Sequence, residues 1–255
     1  MPAHQAFQRG RDCRYLLDIV GSYAVGPMGE IEKNLSRVKE KIAQAATKVG
    51  RDPGGIKLVA VTKTVTVPRI REAMAAGAMI FGENYVQEAR EKIEEIGTSG
   101  IQWHFIGHLQ SNKAAYAVRL FNLIHAVDSV TLARDLDKRA AAAGKIIDCL
   151  LEINLSQEAS KFGISKERTP ELAHEFKDLK NISLKGLMTM PPYADDPEAA
   201  RPYFITLREL REEIADSGIP LPELSMGMSM DFEVAIEEGA TIVRVGRAIF
   251  GERSE

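Results

Sequence analysis

Lys63 ends the run Lys57-Leu-Val-Ala-Val-Thr-Lys63, a short β-branched stretch that delivers an amine to its own C-terminal tip. An amine in that position is expected to be partly desolvated, which lowers its pKa and raises the neutral, nucleophilic fraction. The neutral form condenses with aldehydes. Taken alone, the commoner reading is a surface lysine whose stem snorkels to water.

Two glycine-bearing turns near the other end of the chain change that balance: Ser225-Met-Gly-Met-Ser229 and Arg244-Val-Gly-Arg247. Gly227 and Gly246 let backbone approach an anion, and amides at a helix start point toward it. Ser229 either donates its hydroxyl to that anion or caps the helix starting near Asp231. A tethered amine facing amides that hold a phosphate suits pyridoxal phosphate, an aldehyde and a phosphate in one molecule. Arg244 points either into the site or outward to a rim ion pair. If inward, its guanidinium faces the pyridine nitrogen and weakens the electron sink of carbanion chemistry.

Phe81-Gly-Glu83-Asn84-Tyr85 places two polar residues where they can hydrogen-bond a ring or orient the lysine, with helix capping the plainer role for Asn84. In Trp103-His104-Phe105-Ile-Gly107-His108-Leu-Gln110, His104 reads as a mid-strand core histidine, and His108 and Gln110 are better placed to meet a ligand. His104 and His108 are four residues apart but on a strand and the turn after it, and His125 is far from both, so the two-histidine metal pair of a helix is not formed and no metal site is expected. Asp128-Ser129 ends another strand with an acid and a helix cap. The polar loop Asn154 to Gly163 is of the kind that contacts or covers ligands. The methionines of Met188-Thr-Met190 read as packing.

These residues need elements to hold them. Ile31, Leu35, Val38, Ile42 and Ala45-Ala46 form the stripe of a helix that Gly50 and Asp52-Pro-Gly-Gly55 stop. Thr66 is placed to cap the next helix, with Pro68 in its first turn and Gly77 at its end. Counting the Lys57 run, eight apolar runs read as strands, the others near 78–82, 101–106, 122–127, 146–153, 183–188, 222–226 and 241–245. Helical patterns lie between most of them. This alternation predicts a single α/β domain, a (β/α)8 TIM barrel, with a doubly wound open sheet as the alternative. In a barrel, chemistry sits at the C-terminal ends of strands and phosphate is commonly held after strands seven and eight.

Residues 1–28 stand apart. They carry Arg9, Arg11 and Arg14 but no uninterrupted apolar core, and read as a poorly packed extension to a barrel over 29–255, with Met28 a candidate start. A net charge of −3 gives no reason to expect nucleic acid or an anionic membrane as partner. No apolar run approaches the roughly 20 residues of a membrane span. Two cysteines, Cys13 and Cys149, suit a reducing, cytoplasmic setting.

Together, Ala-Val-Thr-Lys63, Phe-Gly-Glu-Asn-Tyr-Val-Gln-Glu88, Trp-His-Phe-Ile-Gly-His-Leu-Gln-Ser-Asn-Lys113, His-Ala-Val-Asp-Ser129, Gly-Leu-Met-Thr-Met190, Leu-Ser-Met-Gly-Met-Ser229 and Val-Arg-Val-Gly-Arg-Ala-Ile-Phe-Gly251 resemble the YggS/PROSC family of pyridoxal phosphate homeostasis proteins. That family is similar in fold to the N-terminal barrel of alanine racemase, and the likeness runs from about Met28 onward. It implies that Lys63 forms the Schiff base, that Ser229 and the backbone of Gly246 and Arg247 bind phosphate, and that Arg244 faces the pyridine nitrogen. Asn84 and Met226 would line the cofactor. Many members carry Thr or Ser where this chain has Arg247, so a phosphate-binding hydroxyl is lost while the amide remains.

Three functions compete. The first is a monomeric protein that buffers pyridoxal phosphate or delivers it to apo-enzymes. The second is an amino-acid racemase, which needs a second base, a tyrosine on the opposite face of the cofactor. In alanine racemase a second domain of the partner subunit supplies that tyrosine. This chain ends at Glu255, just past the eighth strand, and none of its six tyrosines can be placed there from sequence. The third is an aldolase-like enzyme working through Lys63. The missing base favours the first.

Overall fold

The computed structural model describes residues 29–156 and 162–252; the proposed extension 1–28, with Cys13, and the middle of the loop after the fifth strand lie outside the described residues. Eight parallel strands, β1 Lys57–Val61, β2 Ile80–Glu83, β3 Gln102–Phe105, β4 Leu123–Val127, β5 Ile147–Glu152, β6 Ile182–Met188, β7 Glu223–Ser225 and β8 Ile242–Val245, close into a barrel in sequence order. The helices are α1 Glu30–Lys48, α2 Val67–Ala75, α3 Val86–Ile96, α4 Ala114–Leu120, α5 Val130–Ala142, α6 Thr169–Glu175, α7 Arg201–Asp216, α8 Phe232–Glu237 and α9 Arg247–Phe250. This is the barrel expected from the alternation, and the open sheet is excluded by the pairing of β1 with β8.

Side-chain alternation along the strands makes two apolar cores. Val59, Leu123, Ala126, Leu150, Met188 and Ile242 pack together as a small cluster in the barrel interior. The larger core lies between strands and helices and includes Phe81 against Trp103, ring centroids 5.4 Å apart. Ser129 caps α5 by accepting from the Leu132 amide at 3.3 Å, as anticipated. Thr66 occupies the cap position of α2, but its side chain makes no capping bond. Among the described residues no helix is long and apolar enough to cross a membrane.

The first helix buttresses the end of the barrel that carries the second glycine turn. Its stripe Ile31, Leu35, Val38 and Ile42 is buried. Asn34 Nδ2 donates to the Ile249 carbonyl at 3.1 Å, and Arg51, just beyond the helix, donates to the carbonyls of Ile236 at 2.6 Å and Ala240 at 2.7 Å. Leu35 is 1% exposed at the centre of that seam. Leu35→Ala should cost about 2–5 kcal/mol through lost burial and the cavity left behind. Urea unfolding checks this: a midpoint within error of the parent protein would show that the seam is not integral to the fold.

Candidate functional site

At the C-terminal rim of the barrel lies a cavity of about 530 Å³, and Lys63, Asn84, Ser229, Arg244, Gly246 and Arg247 all line it. β1 delivers Lys63 and β8 delivers Gly246, so strand pairing alone brings these distant residues together. Lys63 is half-buried in the turn just after β1.

Gly227 follows β7 with φ +91°, in the left-handed region. A Cβ there would lie 2.6 Å from the Ala235 Cβ and 2.9 Å from the Phe232 Cα, so this turn fits only glycine. Ser229 does not cap α8, whose cap position is Asp231. Its Oγ instead accepts from the amides of Gly246 at 3.3 Å and Ala248 at 3.4 Å. The two glycine turns are thereby joined, and the hydroxyl proton of Ser229 remains able to donate. Arg247 is half exposed, with Nη1 3.9 Å from Glu252 Oε1 on the cavity rim.

Arg244 points inward, so the rim ion pair is not formed. Its Nη1 donates to Ser225 Oγ, with the two atoms 2.5 Å apart, and its Nη2 donates to the Thr189 carbonyl at 2.9 Å. Burial pushes its pKa down to about 10, against the attraction of Asp231 and Glu152, and it stays a cation at neutral pH. Behind it a hydrogen-bond chain runs from the interior out to the exposed Gln102: Ser225 Oγ to His125 Nδ1 at 2.9 Å, His125 Nε2 to His104 Nδ1 at 3.0 Å, and His104 Nε2 to Gln102 Oε1 at 3.4 Å. Gln102 Oε1 and the guanidinium fix the two ends as acceptor and donor. Every proton between them must then point the same way, with both imidazoles neutral. Burial favours that state, holding His104 down at about 3 and His125 well below its usual value. His104 is therefore the satisfied core histidine expected.

Asn84 precedes α3 by two positions and does not cap it, because Tyr85 occupies the cap position. Its Oδ1 is buried and has no hydrogen-bond partner among the described residues. Such an acceptor is costly to leave unmatched, and at a cavity wall it is ready for a donor from a bound molecule. Met226 is placed differently from expectation. Alternation after β7 sends Ser225 inward and turns the Met226 side chain into the outer core at 0% exposure, where it does not line the cavity. Met228 and Met230 line it instead.

His108 and Gln110 line a separate hollow of about 360 Å³ that shares only Asn84 with the main cavity. His108 stacks on Phe162 at 3.6 Å, with Nδ1 3.3 Å from Asp128 Oδ2. Met188 is core, as read, but Met190 is 42% exposed and begins a wall continuing through Pro191, Pro192 and Tyr193. From sequence this segment reads as the close of a strand with packing methionines, and carries no expected contact with a ligand. Its Pro-Pro pair just after a strand end was the available signal.

Glu152, at the end of β5, is 5% exposed, and its Oε2 has no hydrogen-bond partner among the described residues. Burial, with help from Asp128, pushes its carboxyl up to about 7 against the pull of Arg244. A raised pKa means that Glu152 favours folding most below its unfolded value near 4.3, and that this contribution is lost as pH rises through about 7. Glu152→Gln should match the parent protein near pH 4 and exceed its stability at pH 8 by on the order of 3 kcal/mol. Denaturant titrations at both pH values test this, and a difference that does not change with pH would contradict it.

Residues 33–254 match the family described as alanine racemase, N-terminal domain. The chain is 46% identical over 222 residues to the pyridoxal phosphate homeostasis protein of Aquifex aeolicus, covering 87% of this chain and 97% of that one. It is 43% identical to the protein of the same name from Pseudomonas aeruginosa, covering 89% and 97%. Among solved structures, PipY of Synechococcus elongatus with pyridoxal phosphate bound superposes with a TM-score of 0.78 at 34% identity, covering 87% of this chain and all of that one.

Proposed function

The chain belongs to the pyridoxal phosphate homeostasis proteins of the alanine racemase N-terminal-domain family, and from that membership we propose that it holds pyridoxal 5'-phosphate as a Schiff base on Lys63. In this reading it buffers or delivers the cofactor without robust turnover of its own. The observation that carries the proposal is one cavity containing a lysine amine, a serine-bridged pair of glycine turns and a buried, fixed guanidinium.

The residues present fit the cofactor. Ser229 has a hydroxyl proton to give a phosphate, and the backbone at Gly246 and Arg247 lies beside it. The orphaned Asn84 Oδ1 and the Lys63 amine share the cavity with them. When bound, the cofactor supplies an aldehyde for the lysine and, in enzymes, an electron sink. Lys63 Nζ is the amine that would hold the aldehyde carbon, giving up its two protons to the departing oxygen as water. Arg244 can only donate hydrogen bonds, so a ring nitrogen facing it stays unprotonated and the sink stays weak.

Tyr193 gives the racemase reading its one foothold, because it is the only tyrosine among the described residues lining the cavity. It is 73% exposed, and its hydroxyl donates to Asp195 Oδ1 at 3.1 Å. A catalytic base works best when locked by packing on a rigid element, whereas Tyr193 is largely exposed and its hydroxyl is engaged by Asp195 two residues on. The carrier reading therefore stands ahead. It extends to a monomer serving apo-enzymes in the cytoplasm, which the buried free thiol of Cys149 suits, and to residues 1–28 as an extension, since the family match begins at residue 33.

The purified protein loaded with pyridoxal phosphate should show an absorbance band at the visible edge that borohydride abolishes and Lys63→Ala lacks. A colourless protein that binds no pyridoxal phosphate would sink the proposal. In deuterated water with L-amino acids, α-carbon exchange should stay far below enzyme rates; rapid exchange would favour the racemase. Ser229→Ala should weaken retention of the cofactor about tenfold, the effect of ~1.4 kcal/mol from one lost bond to a charged group. Equilibrium dialysis showing unchanged affinity would remove Ser229 from the phosphate site.

A further inference from the structure

The backbone around Lys63 is strained on one side and tied down on both. Thr64 has φ +62°, a left-handed conformation that a β-branched residue rarely adopts. Such strain persists only where surrounding bonds over-determine it. Here the Thr64 amide donates to Glu88 Oε1 at 2.6 Å. On the other side, Thr62 Oγ1 donates to Glu83 Oε1 at 2.7 Å, and the Thr62 carbonyl accepts from Lys92 Nζ at 2.6 Å.

Lys92 is the hub of these ties. Besides Thr62, its ammonium donates to Glu83 Oε1 at 2.8 Å and Glu88 Oε1 at 2.6 Å, using all three protons. The Lys92 side chain is 8% exposed and that of Glu83 0%. Glu83 Oε2 has no hydrogen-bond partner among the described residues, so the carboxylate is held by one oxygen. Lys92 lies on the buried face of α3 with Val86, Ala89 and Ile93, where apolar residues replacing the whole ion cluster would often pack at least as well. A buried ion cluster is weak evidence of a need for stability, and this one reaches the two residues flanking the amine and stops there.

We propose that Lys92, with Glu83 and Glu88, is a positioning device for Lys63. The cluster fixes the peptide groups on both sides of the lysine and so sets the direction from which its side chain enters the cavity. None of the three lines that cavity, so they act through the backbone and not on the cofactor. This inference rests on the pyridoxal phosphate reading for its consequence: the device governs how firmly the Lys63 Schiff base is kept against water.

Lys92→Met is the obvious change, but it strands a buried carboxylate at Glu83 and threatens the fold. Glu88 is 26% exposed and gives a cleaner test. In the unloaded full chain, Glu88→Ala should speed deuterium exchange at the Thr64 amide about tenfold, and Glu88→Gln, which keeps the acceptor, should largely restore protection. In the loaded protein, Glu88→Ala should release pyridoxal phosphate on dilution about tenfold faster, equivalent to ~1.4 kcal/mol, and shift the midpoint of the absorbance band's pH titration. A merely structural role would lower the melting temperature and leave release and titration unchanged, and that result overturns the inference. A parent protein with no borohydride-sensitive band would overturn the pyridoxal phosphate reading instead, while Thr64 exchange would still report the tie.

Discussion

The pairing of β1 with β8 is the constraint on which the rest depends. It runs from Lys57 beside Ile242 to Ala60 beside Val245, joining strands from opposite ends of the chain. Because the pairing is parallel, both strands finish at the same rim, and whatever follows each is delivered to one place. Lys63 follows the first and Gly246 the second. Closure also encloses an interior where a guanidinium is shielded from water, which gives Arg244 its rigidity and its depressed pKa.

A buried cation is tolerated only when its surroundings are fully committed to it. The chain from Gln102 through His104, His125 and Ser225 to Arg244 meets that demand by ordering its protons in one direction. A second buried cation, Lys92, is satisfied on the far side of β1 and β2 by two carboxylates and a carbonyl. The proposed site thus has one buried cation in its wall, Arg244, and a second, salt-bridged one behind the lysine tether. Both are held by several hydrogen bonds from fixed partners.

Much of this was legible in the sequence because it rests on short-range chemistry. β-Branched runs marked the strands, glycines marked the turns, and the rule that barrel function sits at strand ends sorted Lys63, Ser229, Arg244 and Gly246 onto one rim. What failed depended on facing. Met226 is one residue past a strand, and alternation turned it into the core. His108 and Gln110 share the rim but open onto a neighbouring hollow. Sequence places Glu83 where it can orient the lysine, whereas nothing in the sequence singles out Lys92. Lys92 lies three residues after Ala89 on the stripe that α3 buries, and only the packed structure shows that its ammonium is enclosed there.

The central claim is that the Lys63 amine and the two glycine turns hold one molecule between them. A crystal structure of the full chain loaded with pyridoxal phosphate tests it most directly. The account predicts continuous density from Lys63 Nζ into the cofactor, the phosphate beside Ser229 and Gly246, and the ring nitrogen within hydrogen-bond reach of Arg244. Density that leaves Lys63 unmodified, or that places the phosphate away from the glycine turns, would contradict it.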